Sequence, residues 1–247
     1  LILLFSYWVY RLRLEIRQRK VVESRDKSRS YILEMVLSGA PLSILLEAIV
    51  KRVEQLHPNM LCSILLLDKE GKHLLTGVAP SLPDFYNQAI HGVEIGEEVG
   101  SCGTAAFTRK RVIVDDIQTH PYWTPYKELA SMAKLGACWS EPIIGTDNKL
   151  LGTFAIYHHK IRTPSADNIV LIDFVSQLVA IAIERSQANE QLQLSSRVFS
   201  DTSEGIIITD ANNIIIDVNP AFCEITGYSR DEVMGKTPSV LSSGKQT

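Results

Sequence analysis

The sequence of 247 residues is short of several things, and each shortage closes off a class of protein. Only four cysteines are present, Cys62, Cys102, Cys138 and Cys223, with no Cys-x-x-Cys pair among them. Thiols so sparse in a chain of this length do not make a disulfide framework, and a reducing compartment is expected. No window holds the roughly 20 uninterrupted apolar residues that a complete helical membrane span needs. A basic surplus is missing as well, since 25 Lys and Arg face 28 Asp and Glu for a net charge of -3. Nucleic-acid binders usually carry a basic face, so no nucleic-acid partner is expected. With 45% hydrophobic and 21% charged residues, the composition is that of a folded globular chain.

What is present is unevenly placed. Residues 11–30 hold eight Lys and Arg against three Asp and Glu, whereas residues 31–247 hold 17 against 25. Nine of the first ten residues are apolar or aromatic, and Arg11, Arg13, Arg17, Arg19 and Lys20 follow. Trp8 and Tyr10 stand where an interfacial aromatic belt belongs, with the basic run on the side that faces the cytoplasm. A signal peptide carries its charge ahead of the apolar stretch, so the order is wrong for one. Residues 1–10 are expected to be the cytoplasmic end of a truncated membrane helix, the alternative being the start of an amphipathic or buried helix. The last residues, Leu-Ser-Ser-Gly-Lys-Gln-Thr, bring no closing element, and the chain reads as the middle of a longer one.

The hydrophobic pattern marks the elements. Residues 11–30 contain no Gly or Pro and suit a polar helical stalk. Leu42, Leu45, Leu46, Ile49, Val50 and Val53 follow the helical period and form one buried stripe. Strands are expected at Met60–Leu67 and His73–Val78, hinged on Asp68-Lys69-Glu70-Gly71-Lys72, and again at Cys138–Ile144 and Leu150–His158. Between the hairpins fall a short helix at Asp84–Ile90, a strand at Arg111–Val114 and a helix at His120–Leu135 broken early by two prolines. A long helix begins near Pro164-Ser165, and its stretch Glu184–Arg197 is too polar for a core, as a connector would be. A further hairpin follows at Glu204–Val218, and Asn219-Pro220 opens a short helix ended by Gly227.

Five motifs in order carry a family resemblance. They are Gly100-Ser101-Cys102-Gly103-Thr104-Ala105-Ala106, Val112-Ile113-Val114-Asp115-Asp116-Ile117, His120-Pro121-Tyr122-Trp123, Cys138-Trp139-Ser140-Glu141-Pro142-Ile143 and Leu151-Gly152-Thr153-Phe154-Ala155. Together they resemble a GAF domain of the kind found in bacterial membrane-bound signalling proteins. Val198–Lys245 resembles the N-terminal half of a PAS domain, through Glu204-Gly205-Ile206, Asp217-Val218-Asn219-Pro220-Ala221-Phe222 and Thr226-Gly227-Tyr228 with the residues after them. The resemblance implies an α+β fold, a GAF antiparallel sheet flanked by helices, then a long connector helix and an incomplete PAS unit. The expected division is a membrane end and stalk at 1–30, GAF at 31–187, a connector at 188–200 and partial PAS at 201–247.

The resemblance implies a sensor with a pocket on one face of the sheet, and the residues must supply its chemistry. Gly100–Thr104 is expected to open a short helix at Thr104–Thr108, and the unpaired amides near Ser101, Cys102 and Thr104 favour an anionic group there, although the glycines also serve a plain tight turn. Tyr122, Trp123 and Trp139 are candidates to stack on a flat ligand, or else to pack a core. Asp115 follows a strand and is a candidate acceptor, or else an exposed or capping carboxylate. Cys102 is a candidate reactive thiol at that helix start. Gly-Ser-Cys-Gly-Thr also resembles free-methionine-sulfoxide reductases, but their second catalytic cysteine has no counterpart in His120–Leu135, and Cys138 reads as structural. His158 and His159 point to opposite faces of a strand, so no shared metal site is expected there. Bilin attachment and cyclic-nucleotide motifs are incomplete, and no cofactor is assigned.

The expected partners are a small-molecule ligand, a second copy of the chain through helical segments, and a membrane through the N-terminal residues. The expected location is the cytoplasmic side of a bacterial inner membrane. The resemblance points to a cyclic-di-GMP cyclase or phosphodiesterase as output, with a histidine kinase as runner-up, outside these residues. Two other readings stay open, a ligand-free dimerisation spacer and a reductase-like enzyme.

Overall fold

A computed structural model describes residues 39–241, so the expected membrane end, the basic stalk and the last six residues lie outside the described part. The chain divides into two compact units after Ser186.

The first unit begins with α1 (Leu42–Leu56), which buries Leu45, Leu46, Ile49, Val50 and Val53 on one stripe. Each such aliphatic side chain contributes about 1.5–3 kcal/mol relative to exposure. The helix stops at His57, before a proline that has no N–H to continue the ladder. Two strands follow, β1 (Leu61–Leu67) and β2 (His73–Val78), joined by the expected turn. The Asp68 carboxylate accepts from the Lys72 amide at 2.8 Å and lies 2.8 Å from His73 Nδ1. Those hydrogen bonds, Lys72 first, hold its pKa down to about 2 against the opposing effect of desolvation.

The chain continues through α2 (Asp84–Ile90), a two-residue β3 (Val93–Glu94) that the sequence pattern does not announce, and α3 (Gly100–Thr108). Then come β4 (Val112–Val114), a 3₁₀ turn (Pro121–Tyr126), α4 (Lys127–Met132), β5 (Ala137–Ile144) and β6 (Leu150–His158). All strands pair antiparallel in one sheet ordered β3-β2-β1-β6-β5-β4. Strand β6 lies between β1 and β5, and all nine of its residues are buried.

Side chains alternate across this sheet, and the two faces meet different layers. One face carries Cys62, Ile64, Trp139, Ile143, Phe154 and Ile156, packed against α1 and the first half of α5 (Ala166–Asp201). The other carries Leu65, Leu74, Cys138, Ala155 and Tyr157 beneath α2, α3, the 3₁₀ turn and α4. At the start of α5, Asn168 Oδ1 accepts from the Ser165 amide and hydroxyl, each at 3.0 Å. Two polar ties then fix α5 to the sheet. Glu184 accepts from the Thr146 amide at 2.5 Å and its hydroxyl at 2.6 Å, in the turn between β5 and β6. Arg111, next to β4, pairs with Glu141 of β5 and with Asp173 of α5. Past Ile183 the burial ends, and residues 187–198 are all exposed, as a connector requires.

The second unit holds the hairpin of β7 (Ile207–Thr209) and β8 (Ile215–Val218), then α6 (Pro220–Thr226) and α7 (Arg230–Val233). Asp210 Oδ1 accepts from the amides of Asn212 at 2.9 Å and Ile214 at 2.8 Å, which closes the turn. Asn219 is fully buried and joins three segments. Its Oδ1 accepts from Ile206 N at 2.7 Å and Phe222 N at 3.0 Å, while its Nδ2 donates to Glu204 O at 2.8 Å. The core of this unit is small, with Ile215, Val218, Phe222 and Val233 at its centre. The whole is the α+β arrangement expected, an antiparallel sheet flanked by helices, a long helix and a small second sheet.

Candidate functional site

The glycine motif is not a loop that precedes a helix. It is the first turn of α3 itself, which begins at Gly100. Gly100 has φ +54, the left-handed region that other residues rarely adopt. At Gly103 a Cβ would lie 2.7 Å from Val99 Cγ1, so the turn closes tightly only with glycine there. Thr104 serves that same turn, since its Oγ1 accepts from the Val99 amide at 3.1 Å. It is buried and does not line the cavity described next.

Between α3, α2, the 3₁₀ turn and the sheet lies a cavity of about 40 Å³. Ser101, Cys102 and Trp123 line it together with Leu65, Tyr86 and Tyr157. Ser101 is fully buried and holds three elements in place. Its Oγ accepts from Trp123 Nε1 at 3.0 Å and donates to the carbonyl of Cys138 at 3.4 Å. The Tyr86 ring meets Tyr157 edge-on at 5.9 Å, and Trp123 meets Tyr126 in the same way at 6.4 Å.

Behind the cavity lining, the sheet carries a more polar group of side chains. Cys138 pairs with Tyr157 across β5 and β6, and Cys102 Sγ lies 3.8 Å from the Tyr157 hydroxyl. Cys102 and Cys138 belong to one buried cluster with Tyr157. The Cys138 thiol first, then Ser140, Tyr157 and Thr153, favour the charged form of Cys102 and bring its thiol below the ordinary pKa against the opposing effect of burial. Burial pushes Cys138 and both tyrosines up. Ser63, Ser140 and Thr153 are fully buried, and none of their hydroxyls has a hydrogen-bond partner at full geometry. Ser140 and Thr153 stand near Cys102 and favour its charged form, and neither hydroxyl is paired. Unpaired buried hydroxyls each carry a desolvation cost of about 1–3 kcal/mol.

The sequence-derived candidates therefore separate. Ser101, Cys102 and Trp123 converge on the cavity. Trp139 does not, because the alternation of β5 turns it to the opposite face, where its Nε1 donates to Arg162 O at 3.0 Å and its ring stacks on His158 at 4.4 Å. Tyr122 is half-buried against the cavity-side core with its ring against His120, and it is not part of the lining. Asp115 is exposed, and its carboxylate accepts only a 3.5 Å contact from the Thr163 hydroxyl. Cys138, read from the sequence as structural, lies on the cavity-side face in the same buried cluster as Cys102 and Tyr157. Tyr86, Tyr126 and Tyr157 were not singled out. The i, i+2 alternation from Cys138 to Ser140 and from Thr153 to Tyr157 is the signal that places the polar group behind the lining.

Comparison with known proteins agrees with this architecture. The GAF domain family matches residues 39–184, and the PAS fold family matches residues 193–246. The chain belongs to the GAF domain family, with a PAS unit after the GAF domain. It is 36% identical over 236 residues to the methyl sulfide methyltransferase-associated sensor of Methanosarcina acetivorans. That match covers 93% of this chain and 24% of the relative, so the chain spans about a quarter of that protein's length. The GAF domain of a phosphoenolpyruvate-protein phosphotransferase from Coxiella burnetii superposes with a TM-score of 0.55 at 17% identity, covering 67% of this chain and 95% of that one. A free methionine-R-sulfoxide reductase from Neisseria meningitidis, solved with its substrate, gives 0.50 at 16%, covering 64% and 87%. Likeness at such identities extends to the fold alone. The two families and the relative together support a role as a signalling sensor.

Proposed function

We propose that the chain is the sensory segment of a membrane-tethered signalling protein, in which a small ligand enters the cavity under α3 and alters the packing of α5. One observation carries this reading. The cavity and α5 occupy opposite faces of the same sheet, and β5 and β6 present side chains to both. A ligand that favours one packing of those strands shifts the population of α5 arrangements by no more than its difference in affinity between them. The connector would pass that shift, through paired helices of two copies, to an output domain beyond these residues. Cyclic-di-GMP turnover is the first candidate for that output and a histidine kinase the second, at the cytoplasmic face of a bacterial inner membrane.

The cavity also limits the ligand. A water needs about 10–15 Å³ of such space, so 40 Å³ takes a ligand of only a few heavy atoms unless the aromatic walls move. Small methylated sulfur compounds fall within that limit, and the name of the archaeal relative makes them worth including. The same small volume supports the second reading, a GAF domain that serves as a ligand-free spacer. Thermal unfolding of the 247-residue chain against metabolites, cyclic nucleotides, methionine sulfoxide and methyl sulfides separates the two. A sensor gains about 2.7 kcal/mol at a hundredfold excess over Kd. No shift with any compound, and a cavity that stays closed, would favour the spacer.

A further inference from the structure

We infer that Cys102, which lines the cavity, and Cys138, in the sheet behind it, form a dithiol that closes reversibly to a disulfide when a peroxide reaches Cys102. The two come from different elements, the first turn of α3 and the start of β5, and meet across Tyr157. Both lie in one buried cluster, and Cys102 Sγ stands 3.8 Å from the hydroxyl of Tyr157, the residue opposite Cys138 on β6. Ser101 fixes the approach from both sides, since its backbone belongs to the turn that bears Cys102 while its hydroxyl donates to the Cys138 carbonyl. A buried cysteine in a core is ordinarily an inert small hydrophobe. Cys62 fits that description. It lies on the other face among apolar neighbours, and burial with the Glu54 carboxylate nearby keeps its thiol protonated.

Cys102 differs in three respects. It borders the cavity, where about 40 Å³ admits a molecule the size of two or three waters and hence hydrogen peroxide. It belongs to the first turn of a helix, whose dipole favours a thiolate. Finally, its charge is favoured by the Cys138 thiol, the Ser140 and Thr153 hydroxyls and Tyr157. The pair is thus divided into an attacking sulfur and a protonated partner, because Cys138 is held in its thiol form by burial.

The chemistry balances with peroxide as oxidant. The Cys102 thiolate attacks one peroxide oxygen, the O–O bond breaks, and Cys102 becomes a sulfenic acid as hydroxide leaves and takes up the proton that Cys102 had lost. The Cys138 sulfur then attacks the Cys102 sulfur, its proton joins the departing hydroxide, and an S–S bond replaces the S–OH bond. Two thiols and one peroxide give one disulfide and two waters. The bond would tie the first turn of α3 to β5. Thiols from a reducing cytoplasm would reverse it by exchange.

This inference names a chemical signal for the proposed sensory cavity, but the oxidation itself does not depend on ligand binding or on relay through α5. The test is therefore separate. The reduced 247-residue chain is exposed to stoichiometric hydrogen peroxide, unfolded in an alkylating reagent and mapped by peptide mass. The expected product is a Cys102–Cys138 crosslinked peptide pair, lighter by about two hydrogens than the thiols and restored by a reductant. Cys138→Ser should stop the reaction at a Cys102 sulfenic acid that dimedone traps. Recovery of both thiols alkylated while half-buried Cys223 oxidises, or of Cys102 as sulfinic acid without the crosslink, would overturn the dithiol whatever the variants do. A chain that shows ligand-dependent stabilisation yet gives no crosslink loses this inference and keeps the sensory reading. A crosslink without any ligand shift does the reverse.

Discussion

The two faces of the GAF sheet are made by the same strands and are built to different rules. The face toward α1 and α5 is packed with Ile64, Trp139, Phe154 and Ile156, all fully buried. The face toward α3 holds a cavity, two thiols in one cluster, and the unpaired hydroxyls of Ser63, Ser140 and Thr153. Stability concentrates on the first face, and chemistry is left available on the second. Buried polar groups without partners are costly, so a face that keeps three of them is not optimised for stability alone.

The largest effect should come from a change that respects neither face. Gly152 of β6 pairs with Leu66, and a Cβ there would sit 2.1 Å from the Leu65 carbonyl oxygen. Gly152→Ala should cost more than about 4 kcal/mol, or prevent folding, because only a backbone shift in the central strands relieves the clash. A denaturation midpoint near that of the parent chain would refute the close approach. Next in size, Ile64→Ala on the α5 face should cost about 3 kcal/mol with an unchanged denaturant slope.

The same contrast predicts a pH effect on the α5 face. His158 is 2% exposed, and burial, followed by the positive charge of Arg162, lowers its pKa to about 4 from 6.5. The unfolded chain therefore binds the proton first as the solution is acidified. Stability from this site is complete above pH 6.5 and falls between 6.5 and 4, by on the order of 3 kcal/mol. Replacing His158 with Phe should flatten that portion of the pH–stability curve, as read from urea midpoints. The smallest effect has the opposite sign. Thr153→Val on the cavity face removes an unpaired hydroxyl at nearly constant volume, and should be neutral or stabilising by up to about 1 kcal/mol. A loss comparable to that of Ile64→Ala would erase the distinction between the faces.

Much of the scaffold was legible in the sequence because its signals are local. The stripe from Leu42 to Val53 has the helical period, and Asp68 to Lys72 spells a turn whose hydrogen bonds the structure contains. Gly100 to Gly103 was recognised as a motif but placed before a helix, since two glycines in a first turn run against helix propensity. The reason is positional, a positive φ at one and close packing against Val99 at the other. The site was harder to read because it is assembled across distance. Trp139 and Cys138 are adjacent in sequence and lie on opposite faces, so an error of one residue in assigning faces exchanges a core tryptophan for a cavity-side thiol. Meeting of Cys138 with Cys102 depends on strand order, which no short motif encodes.

Helix α5 carries a last consequence. It runs for 36 residues, yet its buried positions end at Ile183 and residues 187–198 are wholly exposed. A free helix of about 12–15 residues is marginal in water, because the first turn fixes several residues for a single hydrogen bond. The exposed stretch is spared that step, for the turns between Asn168 and Ile183 are already laid down against the sheet. Its helicity is a matter of propagation from a template, and the GAF domain is the nucleus. Any event that loosens the template withdraws the nucleus from everything downstream. On the relay proposed above, what would travel toward the PAS unit is the position of a helix–coil boundary, a variable that can be graded residue by residue.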